Sequence, residues 1–461
     1  MAIVWKRHAV SAYGALLVIA VTWPFLLPGD AFALRDMMVF DQMALTRAAL
    51  GYGDLAARNV PQDALLGILP HPVLALRAIM VGSAAAAVHV ARRLGRTPLG
   101  EAAAMTVVLW NPFVVERLLQ GQWSLVAAAW LLPAVALAPA PAATCAHWVA
   151  SLTPTGAIAA AAFSRGRLGA AVSAVTCAPW VVAGLIHAGA STSSPVSAAA
   201  FAPRAEAHAG TLGSLLGLGG IWNGRAVPAS REAGFALFGV ALFALLALGW
   251  RAVPRRWLAL AAAGFAVALA SWAGLTAPLV GLVPGAGLLR DAQKFLLLAL
   301  PAFAAAAGSL TPRRAGAAVA LALAQVPDAA LALAPLAPTE VAVPAVDHRG
   351  RDVYFVDRPA LIESRGTVAV DPAPKAMNAV ESGLLLVDAT VVDPPSPRAA
   401  AAQASLHDLG TLRELGIGLV VYPDGRVVDT GAPAPGWPPA GVTLFALWCC
   451  APLLGMCRRS Q

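Results

Sequence analysis

Long apolar runs, most of them closed by a short arginine cluster at one end, alternate with polar stretches along this chain. Runs of roughly 17–25 apolar residues are long enough to cross a hydrocarbon core. They fall at about 9–27, 73–91, 101–115, 124–139, 168–188, 233–250, 257–275, 293–309, 315–335 and 441–456, which gives about ten expected transmembrane helices. Pro112 is expected to break the third near the interface. The stretch 146–163 is also long enough to span, yet Arg165 and Arg167 behind it look to be on the same side as the end of the preceding helix. It therefore reads as a re-entrant pair of half-helices with Thr153-Pro154-Thr155-Gly156 at the tip. Irregular backbone at that depth must be buried in protein or line a cavity.

Two polar interruptions stand out. The first, within 28–72, carries Asp30, Asp36, Asp41, Asp54 and Asp63 interleaved with Arg35, Arg47 and Arg58, and its LRDMMVFDQMALTRAAL stretch reads as a helix lying on the membrane. The second, 338–438, contains DVYFVD, GTVAVD, SGLLLVDATVV and IGLVVYPDGRVVD as strands, the last with a Pro423-Asp424-Gly425 turn, and a helix over 397–416 stopped by Gly416. The expected fold is an α-helical polytopic membrane protein: a multi-span domain over 1–337, a small extracytoplasmic α/β domain over 338–438, and a last helix with a cytoplasmic tail over 439–461.

Composition agrees with that reading. With 59% hydrophobic residues, 12% charged residues and a mean hydropathy of +0.71, the chain has about half the charged fraction of a soluble protein. The net charge of +8 invites nucleic acid as a partner, but the basic residues sit between apolar runs: Lys6-Arg7, Arg92-Arg93 with Arg96, Arg165 with Arg167, Arg251 with Arg255-Arg256, Arg313-Arg314 and Arg458-Arg459. Those are cytoplasmic anchors under the positive-inside rule, so the basic balance reports orientation and the partner is the lipid bilayer, not nucleic acid. Both termini are expected in the cytoplasm of a plasma (inner) membrane, and the first apolar run is expected to be a retained helix, not a cleaved leader. The five cysteines lie in or beside apolar segments and show neither a disulfide framework nor metal-type spacing.

Chemistry is sought among the polar residues placed outside. Asp36 and Asp41 are five apart, about 140° from each other on a helix. One carboxylate suffices to take a proton from a sugar hydroxyl; the same acids also suit a solvated loop. WNPFVVERLLQGQW (110–123) brings Glu116, Arg117, Gln120, Gln122 and Trp123 to one end of a helix. Arg117 suits a lipid phosphate, and plain anchoring explains the cluster equally well. In GLLRDAQKFLLLAL, Arg290 and Lys294 run against the positive-inside rule, which marks them, with Gln293, as a phosphate site or as an interfacial pair compensated by Asp291. Asp328 is an intramembrane acid, a functional or a capping residue. His147, His187 and His208 read as satisfied or exposed histidines.

In these features the chain resembles the C-type (GT-C) membrane glycosyltransferases of the bacterial envelope, closest to the actinobacterial arabinofuranosyl- and mannosyltransferases. The similar parts are Arg35-Asp36-Met37-Met38-Val39-Phe40, WNPFVVERLLQGQW, SLTPTG (151–156), GGIWN (219–223) with Trp222 and Asn223, RDAQKF (290–295) and LRELGIGLVVYPDG (412–425). The resemblance implies an inverting transfer outside the cytoplasm from a polyprenyl-phosphate sugar, of decaprenyl-phosphate type, to a glycan or glycolipid acceptor. It implies Asp36 as base with Asp41 as second candidate, Arg117, Arg290 and Lys294 on the donor phosphate, and Asp63 on a sugar hydroxyl. No cofactor is required; a divalent metal is compatible. A lipid-linked-sugar flippase would use the same arginines without needing Asp36, and a non-catalytic envelope scaffold would need only the 338–438 domain and helix packing.

Overall fold

The computed structural model describes residues 2–57, 59–186, 195–283, 285–364, 366–387 and 390–456. Arg58, His187, Cys457, Arg458 and Arg459 lie outside the described residues, as do the side chains of Lys6 and Arg7. The chain is a mostly helical membrane protein. Among the described residues, six helices are long and apolar enough to cross a bilayer: His8–Leu26, Pro72–Arg92, Pro98–Leu119, Gly166–Ile186, Ala292–Ser309 and Pro312–Ala332. The other expected spans fall on Trp123–Leu137, Ala236–Ala247, Arg255–Trp272 and Pro439–Gly455, which are shorter or less apolar.

The span Pro98–Leu119 is central, with 89% of its apolar window buried against 22% for the peripheral Gly166–Ile186. With α1 as Ala2–Thr22, α2 as Gln62–Ile68 and α3 as Pro72–Arg92, the central span divides into α4, Pro98–Leu109, and α5, Pro112–Leu119. Pro112 causes the break, as expected, because it has no N–H to donate. Asn111 repairs it: its amide donates to the freed carbonyls of Val107 and Val108 at 2.9 and 3.0 Å, and its oxygen caps Val114 N–H at 3.0 Å. Around α4 pack α1, α3, and the helices Leu300–Ser309 and Pro312–Ala324.

The stretch 140–163 forms two short helices, α7 (Ala140–Ala150) and α8 (Pro154–Phe163), after α6 (Trp123–Leu137). Their 11 and 10 residues make each about 15 Å long, roughly half a hydrocarbon core. The turn falls at Ser151–Thr153, slightly earlier than the sequence pattern places it, because Pro154 favours the first position of α8. Trp448 of the last helix donates to Ser151 Oγ at 2.8 Å and holds that turn.

Arginine clusters gather at one end of the bundle. Arg96 N–H donates to Gly308 O at 3.1 Å, Ser309 Oγ reaches Gly249 O at 3.4 Å, and Arg256 donates to Ser164 O at 2.8 Å. Arg93, Arg165, Arg167, Arg251, Arg313 and Arg314 around these contacts are exposed.

At the opposite end the expected surface helix over 34–50 is absent. The chain forms an antiparallel hairpin, β1 (Ala31–Leu34) and β2 (Met37–Phe40), with Leu34 paired to Met37 across Arg35-Asp36. A helix on the membrane would bury one face; here all eight strand residues are buried. Such a run satisfies its backbone better by pairing as strands, and an unbroken apolar run does not reveal its period.

The hairpin is covered by the 338–438 segment. There β3 (Asp352–Phe355) runs parallel to β8 (Ile417–Val421), which pairs antiparallel with β9 (Val427–Asp429). Two hairpins, β4–β5 (Leu361–Ser364, Thr367–Val370) and β6–β7 (Leu385–Val387, Thr390–Asp393), lie between them in sequence. The single strand expected over 382–392 is thus a pair, β4 was not anticipated, and the helix expected over 397–416 is split into Pro397–Ala404 and Leu409–Glu414. Asp408 causes the split by capping the second piece through Gly410 and Thr411 N–H at 2.9 and 3.2 Å. Arg35 and Ala369 join the two parts: Arg35 N–H donates to Val368 O at 2.6 Å and Val370 N–H to Arg35 O at 2.9 Å.

Candidate active site

The tip of the β1–β2 hairpin rests on the end of α5. Asp36 N–H donates to Gln120 O at 3.0 Å, and the Arg35 guanidinium donates to the carbonyls of Leu119 and Arg225. The seat is Gly121. Its φ is +85°, and a Cβ there would stand 2.3 Å from both Leu34 O and Met37 N. Gly121→Ala should therefore lift the tip and cost more than the ~1 kcal/mol of a tolerated glycine exchange. Thermal unfolding that stays unchanged in this variant would contradict the close seating.

Asp36 is exposed, and its Oδ2 accepts from Gln122 Nε2 at 3.0 Å. The Gln122 oxygen accepts from Arg117 Nη1 at 2.8 Å. A guanidinium only donates, so it fixes the Gln122 oxygen toward itself and turns the NH2 group toward Asp36. A donor aimed at a carboxylate favours its ionised form. Arg117 is fully buried; it makes a two-point pair with Asp291, one bond at 2.8 Å, and also donates to Gln293. Burial works to raise the Asp291 carboxyl, but Arg117 outweighs it with help from Lys294 and holds the group below its ordinary value. Asp291, Arg117, Gln122 and Asp36 thus form one oriented chain from interior to surface.

The loop 219–225 closes the side of this chain. Asn223 Nδ2 donates to Gln120 Oε1 at 2.7 Å, Gln293 Nε2 to Gly219 O at 3.1 Å, and Ile221 N–H to Glu116 Oε2 at 3.0 Å. Trp222 is half-buried, its ring edge-on to Phe201 at 4.5 Å. Lys294 is half-buried beside Asp291, and Arg225 is exposed next to Arg35.

Several expected residues are elsewhere engaged. Asp41 accepts from Val73 N–H at 3.3 Å and stabilises the start of α3, not the tip. Asp63 forms a buried pair with Lys375 at 2.7 Å, so it ties the polar loop to the 338–438 segment. Arg290 is held by Asp393 at 2.8 and 2.9 Å and lies 4.4 Å over the Phe201 ring. Asp291, which one of the two readings of that stretch set against Arg290 and Lys294, pairs with Arg117 and stands beside Lys294. Glu116 and Trp123 are buried supports and present no surface to a ligand. Asp328 accepts from Ser230 N–H at 3.0 Å, and His147 lies between Ser164 Oγ and Thr176 Oγ1 at 2.8 and 3.1 Å.

Sequence reasoning missed three features of the site. Glu206 and Arg231 form a fully buried ion pair. With Glu116 they converge on Gly219, where a Cβ would meet all three at 2.6–2.9 Å. Arg225, exposed next to Arg35, was not singled out. The adjacent glycines before Ile221 were the available signal. Among the described residues no three His, Cys, Asp or Glu side chains stand together as a metal-binding group. Compared with known proteins, the chain matches no family model, no curated protein and no solved structure.

Proposed function

We propose that the chain is an inverting membrane glycosyltransferase that moves a sugar from a polyprenyl-phosphate donor to an envelope glycan or glycolipid. Asp36 serves as the base. The observation that carries this reading is the exposed Asp36 carboxylate at the hairpin tip, oriented through Gln122 by the buried Arg117. The gathering of arginines at the opposite end supports a cytoplasmic face there, about ten crossings, and a tip facing outward. Asp36 would take the proton of the acceptor hydroxyl while its oxygen attacks the anomeric carbon. The polyprenyl phosphate then leaves with the bonding electrons on the opposite face.

Placement of charges changes the phosphate assignment. Arg117 and Arg290 are each paired with a carboxylate, Lys294 stands beside Asp291, and Arg225 is exposed next to Arg35; we take Lys294, which the resemblance implies, and Arg225 as the contacts of the donor phosphate. Replacing Lys294 and Arg225 with Gln should weaken donor binding about tenfold or more per residue, the effect of one lost charge-assisted contact. Acceptor binding should stay unchanged. Equal donor affinity in the double variant would remove this assignment. The function itself is tested by incubating purified protein with radiolabelled decaprenyl-phosphate pentoses and hexoses. Passage of these lipids between leaflets without sugar transfer would put a flippase in place of the enzyme.

A further inference from the structure

A second cleft lies along the same seam. From the hairpin tip onward, the segments 35–47 and 368–378 run side by side, linked at Arg35 with Val368 and Val370, at Ala44 N–H with Lys375 O at 2.9 Å, and at Arg47 N–H with Asn378 Oδ1 at 3.0 Å. Where they end, a cavity of about 260 Å³ opens, lined by Arg47, His348, Met377, Asn378, Pro435 and Trp437 among others. Trp437 is 53% exposed. Asn378 is fixed by its bonds to Arg47 N–H and Gly350 O, and His348 Nδ1 accepts from Gly350 N–H at 3.0 Å, so each polar group has a set direction. Arg47 Nε is buried without a hydrogen-bond partner.

The charge around this cleft is balanced. Arg47 lies 3.8 Å from Asp352, which pairs with Arg398 at 2.6 Å, and Arg398 also meets Asp54 at 3.4 Å. Two guanidinium groups face two carboxylates, so the wall offers no surplus cation to an anion. A half-exposed indole face beside fixed donors and acceptors in a near-neutral cleft suits a ligand with an apolar C–H face and a rim of hydroxyls. The volume admits about one sugar ring, being below the range for drug-sized ligands.

We propose that this cleft is a saccharide subsite that holds a neutral sugar unit of the acceptor, distant from the reacting hydroxyl. The identification of that sugar as the acceptor's rests on the transferase reading; the binding does not. Asn378 lies nine residues beyond Ala369 along the linking segment, a span of at most about 30 Å that an oligosaccharide can bridge between the cleft and the hairpin tip.

Binding is measured without donor, on the full-length protein in nanodiscs, with neutral pentose and hexose tetrasaccharides and with inorganic phosphate. At least one tetrasaccharide should bind, Trp437→Ala should weaken it about tenfold, and Trp437→Phe should retain most of it. Trp437 is exposed enough for these variants to fold, which thermal unfolding checks. Asp36→Asn should bind as the wild type does. No tetrasaccharide binding, binding indifferent to Trp437→Ala, or preference for phosphate would each overturn the subsite. If saccharide binding is present but sugar transfer is not, the subsite stands and the transferase reading falls.

Discussion

Asp36→Asn is expected to lower sugar transfer by roughly 10²–10⁴-fold, the usual loss on removing a general base. Asparagine keeps the shape of the side chain and an oxygen that still accepts from Gln122 Nε2, so the hairpin tip should not move. Donor binding and expression should match the wild type. The comparison that matters is Asp41→Asn, since Asp41 is bound to Val73 N–H at the start of α3 and faces a structural task. That variant should lose a fraction of stability, about 0.3–1 kcal/mol for a carboxylate at a helix N-terminus, and little turnover. Full turnover in Asp36→Asn would end the base assignment, whichever way Asp41→Asn behaves.

The helical framework was legible because apolar runs report length directly, and because Pro112 and the arginine clusters mark breaks and ends. The hairpin was not. AFAL and MMVF flank a polar dipeptide that suits a helix turn as well as a strand turn, and only the cover provided by β5 decides between them. At the site, WNPFVVERLLQGQW and RDAQKF were each read as a polar cluster, but which acid meets which base was invisible. Asp291 stands next to Arg290 in sequence and pairs with Arg117, 174 positions away. The charges of the polar loop were likewise read as facing substrate or water. Asp54, Asp63 and Arg47 instead meet Arg398, Lys375 and Asp352, more than 300 positions along the chain. Pairings at that separation are set by tertiary contact, and no local pattern encodes them.

Arg117→Met should destabilise the protein by about 3–5 kcal/mol, because it strips a buried carboxylate of its partner. Arg117 has no exposed surface, while the Asp291 side chain is 13% exposed. Thermal unfolding in detergent or nanodiscs reads the loss. The double variant with Asp291→Leu removes both charges and should recover most of that stability, since a buried pair is worth little more than a well-packed apolar one. The pH dependence has a definite sign. The folded Asp291 carboxyl lies below its unfolded value of about 3.9, so the pair stabilises fully above that value and fades as pH falls through the lower one. The gap between wild type and Arg117→Met should hence narrow as pH falls, first because burial unopposed by Arg117 raises the folded carboxyl of the variant above its unfolded value and protonation relieves it, and then because the wild-type pair itself fades in stronger acid. Turnover should behave differently from stability in the double variant. Without Arg117 the Gln122 amide is free to turn its oxygen toward Asp36, and an acceptor there disfavours the carboxylate. Stability that returns while transfer remains depressed would place the role of Arg117 in orienting Gln122; recovery of both would leave it a packing residue alone.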